Sequence, residues 1–278
     1  MKKSVGILFV LAGALSAAPV VFQAGGANAA SIQGTVDAYR AALGSSNPNQ
    51  PTSFVGGRRE VNWDGVPATA SSPNPFPGDF FNGGVAGRAR GIEFTTPGTA
   101  LEVSSNAGAG PIEFDNIDAS YSGLFAAFSP QKLFTAIGSN IVDVHFFLPS
   151  DQTTAAVTRG FGAVFTDVDL ANTTSLEYFD MFNQSLGTYY ASAVQGNETL
   201  SFVGVLFDDA TRIGRVRITS GNAALGGPET SVSDLVAMDD FIYAEPEGAV
   251  PEPGTWMMLS GGIAAFGVVR MRRAHSRS

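Results

Sequence analysis

The chain has 278 residues, a formal net charge of −9 and no cysteine. Disulfides and cysteine-ligated zinc are therefore excluded, so a body of this length has to be stabilised by its hydrophobic core. Six of the 16 basic residues lie near the two ends, and residues 30–250 carry 10 basic and 24 acidic residues. Because nucleic-acid binding needs clustered Lys and Arg, this acidic body predicts no nucleic-acid partner.

The first 29 residues have the organisation of a secretory signal peptide. Positions 2 and 3 are lysines, Val5–Phe22 is apolar, and residues 27–29 give the small-x-small pattern of a cleavage site. We therefore predict cleavage after Ala29, with Ala30 as the near alternative, and export of the remainder. An uncleaved membrane anchor is the competing interpretation, and the cleavage pattern disfavours it.

Residues 30–137 form the loop-rich first part of the predicted body. Thr35–Leu43 predicts a helix because Thr35 suits an N-cap, apolar residues recur at helical spacing and a glycine follows. The stretch beyond it is rich in Pro, Gly, Ser and Asn and contains short candidate strands such as Gly91–Phe94 and Ala100–Val103. The run Ser71–Gly78 holds three prolines, which exclude a regular element.

Residues 138–247 have the pattern of the second half of an antiparallel β-sandwich. Ile141–Leu148 and Ile213–Thr219 alternate in polarity, whereas Arg159–Asp169 has the composition of a buried strand. Further candidate strands are Ser175–Asp180, Gly187–Ser192, Leu200–Phe207 and Val236–Tyr243. Short strands rich in Phe and Val, with one N-terminal helix, predict a mainly β fold built as a sandwich. An open barrel is the alternative architecture.

Several short motifs in this half resemble the C-terminal half of jelly-roll modules in secreted bacterial proteins. They are F-x-D-V-D at Phe165–Asp169, F-x-G-V at Phe202–Val205, Val216–Ile218 and M-D-D-F at Met238–Phe241. The resemblance implies a jelly-roll-like sandwich. It implies no ligand.

The segment 250–278 differs from the body in composition. It begins with Pro251-Glu252-Pro253, continues with the uncharged run Thr255–Val269, and ends in a cluster of arginines. As a helix, this run is about 22 Å long, whereas a bilayer core is about 30 Å thick, so snorkelling arginines have to help it to span. Since arginines favour the cytoplasmic side, we predict a single short transmembrane helix with the body outside the inner membrane.

The order of these three parts resembles the PEP-CTERM sorting signal of exported bacterial proteins. The residues that carry the resemblance are Pro251, Glu252, Pro253, Arg270, Arg272 and Arg273. It implies recognition by an exosortase, a membrane cysteine protease that removes the tail. The predicted partners are therefore the exosortase, the secretion machinery and the membrane before processing. The predicted location is the cell envelope, the cell surface or the outside of the cell after transient anchoring in the inner membrane.

Aspartates at the ends of predicted strands are candidate ligands for Ca²⁺, which binds about six to eight oxygens. They are Asp167, Asp169, Asp239 and Asp240. The plainer interpretation is that they bond to backbone amides in turns, as aspartate commonly does. The same acids are also candidates for a glycosidase pair. Ca²⁺ is the single cofactor that the pattern suggests.

The sequence Asn62–Gly65 holds the best candidate for sugar binding. Trp63 would supply a ring face and Asp64 a hydrogen-bond acceptor, although a core tryptophan beside a turn fits the same pattern. The leading hypothesis is a non-enzymatic surface or extracellular-matrix protein that contacts polysaccharide. A carbohydrate-binding, lectin-like module and a secreted hydrolase are the alternatives.

Overall fold

The computed structural model describes residues 18–207 and 211–249. Within these ranges it contains one α-helix, α1 (Ala29–Leu43), and short 3-10 helices at Ala68–Ala70 and Tyr121–Gly123. The strands of the described ranges are β1 (Val20–Gly26), β2 (Arg58–Val61), β3 (Ile92–Thr95), β4 (Ala100–Val103), β5 (Phe134–Ile137), β6 (Ile141–Phe146), β7 (Ala156–Val157), β8 (Gly160–Thr166), β9 (Ser175–Phe179), β10 (Ser185–Tyr190), β11 (Leu200–Leu206), β12 (Arg215–Thr219), β13 (Ala237–Ala244) and β14 (Glu247–Gly248).

Most of these strands form two antiparallel sheets. The larger sheet has the order β1-β11-β8-β13-β5-β4, and β2 also pairs with β13. The smaller sheet has the order β10-β9-β12-β6-β3, while β14 and β7 form a separate pair. Apolar side chains of both sheets, such as Phe161 of β8 and Val144 of β6, belong to one buried cluster. The predicted mainly β, antiparallel sandwich is therefore confirmed.

The helix α1 covers the outer face of the larger sheet and makes a third layer. Its buried residues Ile32, Val36, Tyr39 and Leu43 follow the helical period and pack against residues of β8, β11 and β13. Because β8, β11 and β13 are covered on both faces, every residue in them is buried. In β6 and β12, by contrast, every second residue is buried, as expected for strands covered on one face.

The helix begins six residues earlier than predicted. Its N-cap is Asn28, whose side chain accepts a hydrogen bond from the backbone N–H of Ser31 at 3.2 Å, so the prediction of Thr35 as the cap was wrong. Asn is as good a cap as Thr, and Ile32 extends the buried stripe by one turn. The C-terminal end of the helix is as predicted. Gly44 has a φ of 106°, and its backbone N–H donates to the carbonyl oxygens of Arg40 and Ala41.

Each predicted strand has a counterpart in the structure. At most of the strand ends, the observed boundary differs from the predicted one by one or two residues. The predicted Ala100–Val103 is reproduced without change as β4. The strands that sequence analysis missed are β1, β2, β5, β7 and β14. One of them, β1, lies inside the segment predicted to be a signal peptide.

Two facing glycines make room for the helix on the larger sheet. Gly162 of β8 and Gly204 of β11 are register partners, and the phenol of Tyr39 lies over them. The Tyr39 hydroxyl donates to the carbonyl oxygen of Val205 at 3.2 Å. Burial raises the Tyr39 pKa well above its ordinary value, so this hydroxyl remains a hydrogen-bond donor.

Replacing Gly162 with alanine should lower the free energy of unfolding by about 1–3 kcal/mol, the usual cost of overpacking a core. The new Cβ would lie 2.8 Å from the Gly204 Cα and 2.9 Å from the Tyr39 ring. Urea unfolding measures the change. Gly34→Ala is the control: no atom lies within 4 Å of its added Cβ, and alanine should stabilise the helix by up to about 1 kcal/mol. Equal effects of the two substitutions would contradict this account of the helix–sheet contact.

Candidate functional site

Trp63 is fully buried and offers no ring face to a ligand. Its indole stacks on the Phe134 ring with a centroid distance of 4.1 Å, and its Nε1–H donates to the carbonyl oxygen of Asp239 at 2.9 Å. The neighbouring Asp64 carboxylate accepts the backbone N–H of Gln131 at 2.6 Å. The sugar stacking predicted for Trp63 is therefore incorrect, because this tryptophan belongs to the core. Asp64 fixes the loop that leads into β5.

The four aspartates predicted as Ca²⁺ ligands do not form one site. Asp167 follows the end of β8, where Thr166 pairs with Ala237, and Asp239 lies at an irregularity of β13. Counted along the paired strands, Asp239 lies three positions from Asp167. This corresponds to roughly 10 Å in the direction of the strands. The predicted set is therefore split into two clusters, each completed by residues that sequence analysis did not select.

Asp239 and Asp240 occupy the irregularity of β13 with different roles. Asp239 is fully buried, and its carboxylate accepts the backbone N–H groups of Phe128 at 2.6 Å and Ser129 at 3.1 Å. Asp240 accepts from the Arg40 guanidinium at 3.0 Å and from the Ser129 hydroxyl at 2.8 Å. Burial raises the pKa of both carboxyls, and the Asp240 charge raises that of Asp239 further. Asp239 therefore has a structural role, and Asp240 reaches a surface cavity.

This cavity has a volume of about 310 Å³ and will be called the Arg40 pocket. Its polar lining consists of Arg40, Ser46, Asn47, Asn49, Glu60, Asn62, Arg90, Ser129 and Asp240. The Arg40 guanidinium lies between two acids, 2.8 Å from Glu60 and 3.0 Å from Asp240. Of this lining the sequence pattern indicated Asp240 alone, because the residues come from α1, β2, β13 and three loops.

Two arginines of the pocket are held in place by protein contacts. Arg40 bonds to Glu60 with two of its nitrogens, and Glu60 also accepts from Arg58 at 2.6 Å. Arg90 donates to the Glu60 carbonyl oxygen at 2.8 Å and lies over the Phe81 ring at 4.3 Å. The walls are therefore fixed, and they present amide, hydroxyl and charged groups to the solvent. Groups of this kind orient polar ligands such as sugars.

The second cluster surrounds Asp167 and includes Asp169, Glu229 and Asp234. Asp234 accepts the backbone N–H of Asp169 at 2.8 Å, Glu229 accepts that of Leu235 at 3.0 Å, and Asp169 accepts that of Gly196 at 2.8 Å. Among the side chains described by the structure, Asp167 stands out because it is fully buried and neither carboxyl oxygen accepts a hydrogen bond. Asp167 also has a positive φ of 67°, a conformation that Asp and Asn tolerate better than most residues.

Asp167 is the carboxyl of this cluster that is favoured to keep its proton at neutral pH. Burial, followed by the charges of Glu229, Asp169 and Asp234, raises the pKa of Asp167 to about 9. Burial also raises the pKa of Glu229 and of Asp234. In residues 18–207 and 211–249, no group of three or more acidic, Cys or His side chains is arranged to hold a metal ion. The geometry therefore favours a protonated Asp167 over the predicted Ca²⁺ site.

The tail lies directly beyond the described fold. β14 pairs with β7 through Glu247 and Gly248, and the described chain ends at residue 249. No helix of the described residues is long and apolar enough to span a membrane. The predicted tail helix, Thr255–Val269, and the predicted signal residues Pro251, Glu252, Pro253, Arg270, Arg272 and Arg273 lie outside the described residues.

Comparison with known proteins identifies the tail and leaves the body without a match. Residues 249–273 match the PEP-CTERM protein-sorting motif, so the predicted sorting signal is confirmed. No curated protein and no solved structure matches the chain. The motif implies export, transient anchoring in the membrane and processing by an exosortase.

The Asp167→Asn substitution should remove a pH dependence from the stability of the protein. The folded-state pKa of about 9 exceeds the ordinary value of 3.8, so the folded state retains a proton that the unfolded state releases between these pH values. The free energy of unfolding of the native chain should therefore fall with rising pH, by at most about 1.4 kcal/mol per pH unit from this group. Urea unfolding between pH 5 and 8 should show the variant gaining stability relative to the native chain.

Asp118→Asn is the control for this experiment. Asp118 is exposed, and hydrogen bonds from Ser120 lower its pKa, so Asp118 affects the free energy of unfolding at acidic pH. Asp118→Asn should therefore leave the pH slope of this free energy between pH 5 and 8 unchanged. Parallel pH profiles of the native chain and of Asp167→Asn would disprove the assignment of a protonated Asp167.

Proposed function

We propose that this protein is exported, sorted at the membrane through its tail by an exosortase, and retained as a non-enzymatic component of the cell surface or extracellular matrix. The observation that carries the proposal is the PEP-CTERM motif at residues 249–273. The formal charge of −14 on residues 30–250 supports it, because an acidic body remains soluble after release.

The junction between fold and tail supports processing of a folded body. β14 is the last described strand, and Glu247 forms an ion pair with Arg212 at 2.5 Å. The matched motif begins at residue 249, one residue after β14 ends. A protease can therefore remove the tail without breaking a strand of the body.

The roles of the aspartates support a non-enzymatic function. A glycosidase needs two carboxyls that face a sugar from opposite sides, about 5–9.5 Å apart. Asp239 is enclosed by the backbone of Phe128 and Ser129, and Asp240 is paired with Arg40. Asp167 lies in the core. These contacts support the proposal that the three acids stabilise the fold and take no part in hydrolysis.

A second candidate function is the binding of a sugar unit of a polysaccharide in the Arg40 pocket. The observation that favours it is a cavity of about 310 Å³ with fixed arginine and carboxylate groups and a rim of amides. Asn62 is exposed at this rim, and its described hydrogen bond uses the backbone carbonyl oxygen rather than the side-chain amide. Its amide is therefore placed to bond to hydroxyl groups of a ligand.

Replacing Arg270, Arg272 and Arg273 together with glutamine should abolish tail removal, because the substitutions remove the positive charge that holds this end at the cytoplasmic face. The measurement is intact-mass spectrometry of the membrane fraction, in which the unprocessed chain should accumulate. Arg277→Gln is the matched control, since Arg277 lies outside the matched residues 249–273. Normal processing of the triple variant would contradict the assignment of the tail.

Replacing Asn62 with alanine should weaken polysaccharide binding about two- to tenfold, the usual range for one lost hydrogen bond. Binding is measured by titration with exopolysaccharide from the same cells. Asn106→Ala, an exposed asparagine outside the pocket, should bind like the native chain. Binding that is unchanged by Asn62→Ala, or absent from the native chain, would remove the sugar site from the proposal and leave the sorting function intact.

A further inference from the structure

The strand β1 is an integral part of the larger sheet. All seven of its residues, from Val20 to Gly26, have register partners in β11, from Leu206 to Leu200. Cleavage after Ala29, as the sequence pattern predicts, would remove this strand and leave one edge of β11 without backbone partners. Exposed hydrophobic strand edges favour aggregation, so loss of β1 would be costly for an exported protein.

Side chains of β1 also pack against the helix and against the rest of the sandwich. The Phe22 ring lies 5.3 Å from the Tyr39 ring, and Ala24 packs against the cluster under the helix. The Gln23 side chain donates to the carbonyl oxygen of Tyr190 at 2.8 Å. A Cβ on Gly25 would lie 2.7 Å from the Val194 side chain, which shows how closely that side chain packs against the strand. These contacts are specific to the sequence of β1.

The start of the helix depends on the same segment. Asn28 caps the first turn through Ser31, and the helix begins at Ala29. Cleavage after Ala29 would remove the cap, which typically contributes about 1 kcal/mol. It would also place the positive α-amino group of Ala30 at the positive end of the helix dipole.

The sequence offers an earlier cleavage site. The apolar core of a signal peptide usually has about 7–15 residues, which Val5–Leu15 satisfies and Val5–Phe22 exceeds. Ala14 and Ser16, or Ser16 and Ala18, place small residues at the two positions that a cleavage site requires. Both sites precede Val20, and both leave β1 in the body.

We infer that the signal peptide is removed by hydrolysis of the bond after Ser16 or after Ala18, so that the mature protein retains β1. The reaction breaks one amide bond: water supplies a hydroxyl to the carbonyl carbon of Ser16 or Ala18 and a proton to the nitrogen of Ala17 or Pro19. This inference rests on the proposed export of the chain. It replaces the cleavage after Ala29 that the small-x-small pattern alone predicts.

N-terminal sequencing and intact-mass measurement of the exported protein test the inference directly. We expect an N-terminus at Ala17 or Pro19, and the double variant Ser16→Leu, Ala18→Leu should retain its signal peptide. The variant Ala27→Leu, Ala29→Leu should be processed like the native chain. An exported protein that begins at Ala30 or Ser31 would overturn the inference alone, whereas a cytosolic chain that begins at Met1 would overturn the proposed export as well.

A second measurement reports on β1 through stability. Gly25→Val should lower the urea midpoint of the exported protein, because its side chain would overlap that of Val194. Val21→Thr is the matched control, since Val21 is 44% exposed and threonine has nearly the same shape. If β1 were absent from the mature protein, both variants would have the native midpoint, and this result would also overturn the inference.

Discussion

The packing of Trp63 holds the two sheets of this protein together. Its ring contacts Phe94 of the smaller sheet and Phe134 and Phe241 of the larger sheet, with centroid distances between 4.1 and 5.4 Å. Aromatic pairs in such geometries contribute about 0.5–1.5 kcal/mol each beyond the burial of their area. The bond from its indole N–H to Asp239 also fixes the irregularity of β13, and the adjacent Asp240 reaches the Arg40 pocket from that irregularity. The core and the pocket therefore depend on one side chain.

A buried ion pair joins the long loops to this core. The Arg59 guanidinium bonds to Glu245 at 2.6 and 2.8 Å, and neither side chain is exposed to more than 1%. Arg59 also donates to the carbonyl oxygens of Thr52 and Ala89, so the proline- and glycine-rich loops are anchored at β2 and at the end of β13. Removing one partner of such a pair leaves an uncompensated buried charge, so this ion pair stabilises the attachment of the loops to the two strands.

Sequence patterns predicted the layered β architecture well, because alternation along β6 and β12 and the apolar composition of β8 depend directly on the number of covered faces. They did not predict where Trp63 lies, since an Asn-Trp-Asp-Gly sequence fits both a core residue beside a turn and an exposed binding loop. The same limit explains why the partners of the predicted aspartates were not found from the sequence. Asp167 and Asp169 lie two residues apart in sequence, but their partners Glu229 and Asp234 are about 60 residues away and are brought close by pairing of β8 with β13. The tail was predictable because its recognition depends on residue order rather than on folding.

The body adjoins the matched sorting motif at its C-terminal end and the proposed cleavage site at its N-terminal end, and this arrangement connects maturation to folding. β1 begins at Val20, next to the small residues of the earlier cleavage site, and β14 ends at Gly248, next to the matched motif. β1 is an edge strand of the larger sheet, and β14 pairs with β7 alone, so neither signal interrupts a central strand. The central strands β8, β11 and β13 pair with one another in the middle of the larger sheet. Cleavage before Val20 and after Gly248 therefore breaks no pairing of these central strands, on which the buried core of the sandwich depends.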